Sequence, residues 1–256
     1  MSRPFHLLGR KLKTFSLTVA KCSNWFSLAL AKSGLNDAVE TLRFRDGLQL
    51  KAIKPLRHTW GQIFEPAIAD VYGTRAATPD LIVDVGANIG AFACLAARTH
   101  PKATVHAFEP SPLQADRLEE NAALNQLENI VLHREAVTKD GRDVVFAHLG
   151  AGGSSGIFLH EGGRTTEMKS VSLDCVDFSQ SRSLFLKLDC EGAEGEIIEW
   201  LCANLPRLPP QIRFACEHHH WCPIPLDQAL GMLRSHGFEA EHRTLFDEQY
   251  VFAGRG

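Results

Sequence analysis

The sequence predicts a doubly wound α/β fold, in which helices cover both faces of a mostly parallel sheet. Along the chain, short apolar runs rich in β-branched residues alternate with segments whose apolar residues have helical spacing. In addition, a glycine-containing turn joins the apolar run 81–85 to the helical segment 91–97. A buried parallel strand that turns tightly into a helix has this pattern, so these residues are expected to form the unit around which the sheet is built.

Length and composition are those of one catalytic-size domain with a modest extension. The chain has 256 residues, of which 45% are hydrophobic, enough to bury one large core. Its formal net charge of −3 gives no reason to expect nucleic acid as a partner, because backbone phosphates require a basic surface. The seven cysteines are scattered and form no C-x-x-C pair, which favours reduced thiols and a cytoplasmic location.

Residues 1–78 form the predicted N-terminal extension, and its first 36 residues contain six Arg or Lys and no acid. Apolar residues between these charges predict one or two amphipathic helices. The helices either cap the domain or lie on an anionic membrane or a partner; in a non-enzymatic alternative they would dock a non-catalytic nucleotide-binding fold. No window approaches the roughly 20 apolar residues of a spanning helix, and no signal-peptide pattern is present.

The rest of the extension predicts a hairpin and an irregular helix. Residues 43–51 alternate apolar and polar positions around an Asp-Gly pair, which is a strong hairpin signal. Residues 60–72 have helical spacing, although Pro66 limits how regular that helix can be.

The core domain, predicted for residues 79–256, begins with the turn after the first strand. Gly86 and Gly90 permit a sharp turn and close approach of a ligand, and the first N–H groups of the next helix offer donors to it. A dinucleotide fingerprint would need glycine where the chain has Asn88 and Ala91. A pyrophosphate is therefore disfavoured, and a nicotinamide-dependent oxidoreductase is the alternative interpretation.

Two acidic residues indicate a different cofactor. Asp84, two residues before Gly86, would suit a cationic ammonium group such as that of S-adenosylmethionine. Glu109 ends the second predicted strand, 103–108, and could accept both hydroxyls of a ribose, a geometry shared by nicotinamide and adenosylmethionine sites. In the purely structural alternative, Asp84 caps a helix and Glu109 is a surface acid before Pro110.

The third predicted strand, 130–133, follows a helix over residues 111–124 and leads to a candidate adenine site. Glu135 and the backbone around Ala136 could bracket the ring there. A further strand is predicted over residues 143–148. The glycine- and serine-rich loop 150–156 either covers a site or is a long connection.

A second concentration of acidic residues follows the apolar run 184–188. Strand alternation would put Lys187, Asp189 and Glu191 on one side, at the carboxyl end of a strand where ligands of open parallel sheets bind. Two carboxylates there could hold a substrate hydroxyl and take its proton, or share a divalent cation. Alternatively, Lys187 pairs with Asp189, while Glu191 and Glu194 favour the first turn of a helix.

The next predicted strand, 212–217, runs into three consecutive histidines. Imidazole is a base near pH 7 and a metal ligand, so these residues are candidates for chemistry. Alternation puts His218 and His220 on one face and His219 on the other, and His218 is the predicted catalytic member. A zinc site made of His218, His220 and Cys222 would lack an evident fourth ligand, so no metal is predicted.

The chain is expected to close with a helix and a strand pair. The helix covers residues 226–236 and would end at Gly237, a common C-terminal signal. The strands are predicted over residues 238–244 and 249–253.

Three segments resemble, in order and spacing, the signatures of FkbM-family methyltransferases. They are Asp84-Val85-Gly86-Ala87-Asn88-Ile89-Gly90, Phe108-Glu109-Pro110, and Lys187-Leu188-Asp189-Cys190-Glu191-Gly192-Ala193-Glu194. The resemblance covers roughly residues 80–220. It implies a class I adenosylmethionine-dependent methyltransferase fold, Rossmann-like, with a seven-stranded sheet of order 3-2-1-4-5-7-6 whose last strand pair is antiparallel. It also implies O-methylation of a hydroxyl on a sugar, glycan or natural-product scaffold.

The same resemblance implies roles for individual positions. Asp189 and Glu191 would face the methyl acceptor. The base that takes the proton of the acceptor is assigned to Asp189 or His218 for a separate reason, because both are predicted at the ends of neighbouring strands. The basic N-terminal segment and the histidine run are not part of the signatures, so the acceptor and any membrane contact stay open. With the flanking residues and the adenine edge, the predicted cofactor-binding set is Asp84, Gly86, Ala87, Asn88, Gly90, Glu109, Pro110, Glu135 and Ala136.

Overall fold

The computed structural model of the protein describes residues 3–76, 78–148, 155–156 and 164–256. The strands, in chain order, are β1 (Thr41–Arg43), β2 (Gln49–Lys51), β3 (Leu81–Val85), β4 (Thr104–Phe108), β5 (Ile130–His133), β6 (Ala136–Val137), β7 (Val144–His148), β8 (Ser155–Gly156), β9 (Arg164–Met168), β10 (Ser170–Val171), β11 (Ser183–Leu188), β12 (Gln211–Glu217), β13 (Glu239–Leu245) and β14 (Glu248–Arg255). The helices are α1 (Arg3–Lys21), α2 (Trp25–Lys32), α3 (Leu56–Thr59), α4 (Gly61–Ile63), α5 (Ala91–Thr99), α6 (Pro112–Leu124), α7 (Glu194–Ala203) and α8 (Leu226–Ser235).

The central sheet has seven strands in the order β13-β14-β12-β11-β3-β4-β5. Five adjacent strands of this sheet, β5, β4, β3, β11 and β12, pair in parallel. Strand β14 is antiparallel to both of its neighbours, β12 and β13. Counted along the chain within this sheet, the order is 6-7-5-4-1-2-3, which confirms the predicted class I methyltransferase fold and its reversed last strand.

The strands of the sheet centre are buried on both faces, as a doubly wound fold requires. Val83 and Leu186 pack on one side in a core shared with α7 and α8. Ile82 and Phe185 pack on the other side with Phe92 and its neighbours from α5. The apolar runs that predicted strands are therefore continuous because each face of the sheet is covered by helices.

Three smaller strand groups surround this sheet. The predicted hairpin is confirmed as the antiparallel pair β1 and β2. Strand β7 pairs with β8 and β9, and β6 pairs in parallel with β10. Of the glycine- and serine-rich loop 150–156, residues 150–154 lie outside the described residues, and the last two form β8.

The N-terminal extension packs on the start of α5, where its apolar residues form a core with Ile89, Cys94 and Leu95. The side chains of Asn121 in α6 and of Asn125 just after this helix also bind the backbone of β2 and so attach the hairpin to the domain. The two predicted amphipathic helices are present as α1 and α2, while the division of the chain at residue 78 stays a prediction. Among the described residues, no helix is both long and apolar enough to cross a membrane.

The segment predicted as an irregular helix is broken as expected. It consists of the short α4 and a following π-helical turn, Phe64–Ala69, which contains Pro66. This turn ends at Asp70 in a left-handed backbone conformation, after which Tyr72 is fully buried. The irregularity therefore places residues of the extension beside the carboxyl ends of the sheet strands.

Candidate active site

A cavity of about 230 Å³ lies at the carboxyl ends of β3, β4, β11 and β12. In an open α/β sheet, this is the edge where ligands bind. The cavity brings together most of the residues that the sequence singled out. These are Gly86, Ala87, Asn88, Glu109, Pro110, Glu135, Ala136, Asp189 and Glu191.

The turn after β3 has the backbone that its sequence predicts. Gly86 has φ of +75°, and a Cβ there would overlap the backbone carbonyl of Asp189 on the neighbouring strand end. Gly90 also has positive φ, at +81°, but it does not line the cavity; a Cβ there would come 2.6 Å from Leu118 Cγ of α6. The group that comes close to Gly86 is thus the Asp189 backbone, whereas a ligand was expected there, and Gly90 permits packing between α5 and α6.

Glu109 is buried at the end of β4 and lines the cavity, which argues against a purely surface role. Its two carboxylate oxygens accept hydrogen bonds from the backbone N–H groups of Asn88 and Ser111, each at 2.8 Å. Burial raises the pKa of Glu109 to about 7, although these two N–H groups act in the opposite direction. A buried carboxylate with lone pairs toward the cavity fits a ligand diol, because each hydroxyl can donate to it.

Asp84 lies beneath the cavity instead of in it. Its carboxylate is fully buried and pairs with the Lys187 ammonium at 2.8 Å, because the parallel register sets these two residues side by side on β3 and β11. The ammonium also donates to the carbonyl oxygen of Gly86 at 2.8 Å. The predicted contact between Asp84 and a ligand ammonium is therefore replaced by a different role. Asp84 neutralises Lys187, which in turn holds the turn after β3.

Asp189 follows the last residue of β11, and its carboxylate reaches the cavity with 31% of the side chain exposed. Its Oδ2 accepts a hydrogen bond from the Tyr72 hydroxyl at 3.0 Å. The same hydroxyl lies 3.4 Å from Glu217 Oε2, and the Tyr250 hydroxyl oxygen lies 3.1 Å from that carboxyl oxygen. Burial, together with the charge of Asp189, raises the pKa of Glu217 to about 9, so this group carries a proton at neutral pH.

His219 lies at the centre of a group of carboxyl groups. Its Nδ1 is 2.8 Å from Glu194 Oε1, and its Nε2 lies 3.6 to 3.9 Å from oxygens of Asp189, Glu191 and Glu217. Burial opposes a charge on the ring, but the hydrogen bond to Glu194 and the nearby carboxylates raise the pKa of His219 to about 10. At neutral pH this residue is therefore a cation that offsets the negative charge of the cavity wall.

The catalytic prediction for His218 is corrected by this geometry. His218 does not line the cavity, and its Nε2 is within hydrogen-bond distance of the Ile224 carbonyl oxygen, at 3.1 Å. The alternation of side chains along β12 continues past the end of the strand, so His219 lies on the same side as Glu217, and this is the side that borders the cavity. Residues Phe214 and Cys216, which share the parity of His218, pack in the core with α7 and α8. Counting alone could not tell which face was the cavity.

One set of side chains could bind a divalent cation. Ligand atoms of Asp189, Glu217 and His219 all lie within 4.8 Å of one another, and this is the one such group among the described residues. The zinc trio considered from the sequence is not brought together there, since His220 is exposed whereas His218 is bound to Ile224.

Several residues of the cavity wall gave no signal in the sequence. The extension contributes Gln62, Glu65 and Tyr72, and the Tyr250 hydroxyl donates to Glu65 at 2.9 Å. The chain contains only two tyrosines, and both are buried with their hydroxyls at this site. The small number of tyrosines was the one available hint of a special role, but nothing in the sequence indicates that Tyr72 and Tyr250, 178 positions apart, lie together.

Most of the segments that line this cavity are similar in sequence to known methyltransferases. The profile of the methyltransferase FkbM domain matches residues 84–240, which include the turn after β3 and both acidic strand ends. The 31-O-demethyl-FK506 methyltransferase FkbM of Streptomyces tacrolimicus is 35% identical over 95 residues, 36% of this chain and 36% of that protein. The methyltransferase sdnD of Sordaria araneosa is 52% identical over 44 residues, 17% of each chain. The chain thus matches about a third or less of the length of these curated relatives.

A solved structure of a SAM-dependent methyltransferase from Aquifex aeolicus superposes with a TM-score of 0.46 at 11% identity. The match covers 77% of this chain and 93% of that one. The fold assignment itself rests on the strand order described above.

Proposed function

Because the chain belongs to the FkbM family of S-adenosylmethionine-dependent methyltransferases, we propose that it transfers a methyl group from S-adenosylmethionine to a hydroxyl oxygen of a sugar, glycan or natural-product scaffold. The observation that carries this proposal is one cavity that is lined by Glu109, by the Gly86 turn and by Asp189. The name of the Streptomyces relative, which specifies an O-demethyl substrate, supports oxygen as the acceptor atom.

The residues present fit this cofactor. We assign Glu109 to the ribose hydroxyls, the backbone from Gly86 to Asn88 to the methionine portion, and Glu135 with Ala136 to the adenine edge. When bound, S-adenosylmethionine supplies a methyl group that is already activated on a positively charged sulfur. The acidic cavity wall favours that charge electrostatically.

Asp189 is the proposed catalytic base. In the reaction, its carboxylate accepts the proton of the acceptor hydroxyl while the carbon–oxygen bond forms and the carbon–sulfur bond breaks, which leaves a neutral thioether. Tyr72 orients the carboxylate through its hydroxyl, and the Lys187 ammonium lies 3.9 Å from Asp189 Oδ2. Alignment of the acceptor can supply up to about 7 to 11 kcal/mol, and a base about 10² to 10⁴-fold in rate.

Calorimetric titration of the purified protein with S-adenosylmethionine, S-adenosylhomocysteine and nicotinamide dinucleotides tests the cofactor. We expect heat and one-site binding with the first two ligands only. Binding of a nicotinamide dinucleotide without binding of either sulfur compound would favour the oxidoreductase alternative and overturn this proposal. With methyl-labelled cofactor and a panel of hydroxylated sugars and scaffolds, the labelled product then identifies the acceptor.

Affinity for S-adenosylhomocysteine should depend on pH through Glu109. The ionised carboxylate accepts hydrogen bonds from both ribose hydroxyls, whereas the protonated form offers fewer acceptors, and the pKa of Glu109 in the free protein is about 7. Ligand binding therefore releases a proton below that pKa. The measured Kd should fall by up to about tenfold per unit as pH rises toward 7, and level off above it.

Two variants make this pH measurement specific. In Glu109→Gln the Kd should be higher at neutral pH and almost independent of pH. In Glu191→Gln the slope should persist, even though the pKa of Glu191 is also about 7, raised by burial. A slope lost in the Glu191 variant and kept in the Glu109 variant would contradict the assignment.

Replacement of His219 should affect turnover much more than replacement of its neighbour. His219→Asn removes the cation that faces Asp189, Glu191 and Glu217, so we expect kcat/KM to fall by about 10²-fold or more. His220→Asn changes an exposed ring and should leave kcat/KM within about twofold. Equal losses in both variants, with unchanged thermal unfolding, would be inconsistent with a specific role of His219.

A further inference from the structure

Helix α1 is attached to the domain by one side only. Thr14 and Thr18 are 9% and 6% exposed, and Leu17 packs against the core of the extension. At the C-terminal end of the helix, the backbone N–H of Arg45 donates to the Lys21 carbonyl at 2.8 Å, and the Arg45 guanidinium donates to the Val19 carbonyl at 3.1 Å. The orientation of α1 is therefore fixed by contacts with the hairpin and the core.

The opposite side of α1 is apolar and exposed. Leu12 and Phe15 are 58% and 49% exposed, and Phe26 at the start of α2 is 61% exposed. Trp25 joins the two helices, with its ring centroid 5.9 Å from that of Phe15 and 5.7 Å from that of Phe26, both edge to face. We call Leu12, Phe15, Trp25 and Phe26 the α1–α2 patch.

The sequence extends this patch along the helix. Leu12, Phe15 and Val19 follow the spacing of three and four residues that keeps side chains on one helical face. In the sequence, the same spacing runs back through Leu8 to Phe5. Large apolar side chains that point away from the core, such as Leu12 and Phe15, are unusual in a surface helix, whose apolar side normally covers the core.

The charges around the patch are of one sign. Residues 1–36 contain six of the 27 basic residues of the chain and none of its 30 acidic residues. Lys11 and Lys13 flank Leu12 in the sequence and both are exposed, and the Lys13 ammonium lies 5.2 Å from the centroid of the Phe246 ring. The remainder of the chain is thus acidic as a whole, so the basic charge is concentrated on the segment that also exposes large apolar side chains.

We propose that the α1–α2 patch docks the protein on the surface of an anionic lipid bilayer. A helix with an exposed apolar face, aromatic side chains and flanking lysines lies in the interface between headgroups and acyl chains, where apolar burial and attraction to anionic headgroups add together. A protein partner would normally offer acidic residues at fixed positions, whereas here the basic charges are spread along both helices without any acid. This inference is independent of the proposed methyl transfer.

Co-sedimentation of the full chain with vesicles tests the proposal. The probe vesicles contain phosphatidylcholine with about 30% phosphatidylserine, and the reference vesicles contain phosphatidylcholine alone. We expect binding to the anionic vesicles at near-physiological salt, weaker binding as salt is raised, and little binding to the neutral vesicles.

The matched variants are Leu12→Glu/Phe15→Glu and the control Leu113→Glu, whose leucine is 59% exposed on α6. Partitioning into anionic vesicles should fall at least about tenfold in the double variant and stay within about twofold in the control. Thermal unfolding should be similar in all three proteins, since the changed residues are exposed.

Other outcomes would overturn the proposal. They are no binding to anionic vesicles, equal binding to both vesicle types, or equal loss in the control variant. Self-association that disappears in the double variant, without lipid binding in the parent protein, would identify a second copy of the chain as the occupant of the patch.

Discussion

Replacing Asp189 with asparagine should lower kcat by about 10² to 10⁴-fold, because the amide cannot take the proton of the acceptor hydroxyl. The side chain keeps its shape and can still accept the hydrogen bond from Tyr72, which lies 3.0 Å from its Oδ2 in the parent protein. The Kd for S-adenosylhomocysteine should therefore change by no more than about threefold. Single-turnover methyl transfer and calorimetry on the same preparation separate the two effects.

Two further variants check this interpretation of Asp189. Tyr72→Phe removes the hydroxyl that orients Asp189 and leaves the carboxylate itself. The loss in kcat of this variant should therefore be smaller than that of Asp189→Asn, and the pH dependence of its kcat should differ from that of the parent protein. Asp177→Asn, at a position that does not line the cavity, should have normal kinetics. If Asp189→Asn turned over at a near-normal rate with saturating cofactor, the base would have to be sought elsewhere among the carboxylates of the cavity.

Replacing Lys187 with methionine should lower the free energy of unfolding by about 3 to 5 kcal/mol, because it leaves a buried carboxylate without its partner. Asp84 is 0% exposed and Lys187 is 3% exposed, so water cannot solvate the charge that remains. The variant also loses the hydrogen bond from the ammonium to the Gly86 carbonyl. Urea unfolding at neutral pH measures the effect.

The double variant Lys187→Met/Asp84→Asn should recover a large part of this loss, since no buried charge is left unpaired. The pH dependence gives an independent check. Burial already raises the pKa of Asp84, although Lys187 opposes the shift, so without Lys187 the folded state prefers the protonated form still more. The stability of Lys187→Met should therefore increase as pH falls, relative to the parent. If Lys187→Met were as stable as the parent protein, the ion pair between Asp84 and Lys187 would contribute little to the free energy of unfolding.

Local sequence patterns predicted most elements of the core, because the central strands have helices on both faces and consist of continuous apolar runs. The run 130–133 coincides with β5, and the hairpin predicted over residues 43–51 is present, with a first strand, β1, that begins two residues earlier, at Thr41. The sharp turn expected at Gly86 was predicted correctly for a local reason, since the positive φ of this residue belongs to the turn itself. The strand order came from the resemblance of three signatures and not from any single element.

The roles of Asp84 and of the histidines could not be obtained in this way. Asp84 was expected to contact a ligand, but the pairing of β3 with β11 places Lys187 beside it. Alternation correctly separated His218 from His219, yet it carries no information about which face of β12 borders the cavity. That choice depends on α7 and α8, which pack against the other face.

By itself, the sequence determined the α/β architecture, the turn at Gly86 and the acidic residues at the strand ends. Backbone preference and the spacing of buried apolar residues depend on residues that are close together in the chain, so both can be obtained from a local stretch of sequence. Only the tertiary structure decided that Tyr72 and Tyr250 meet at Asp189 and Glu217, that His219 enters the cavity, and that the apolar side of α1 points outward. These features depend on strand register and on which surfaces pack together, and such long-range contacts bring together residues whose separation along the chain gives no sign of their proximity.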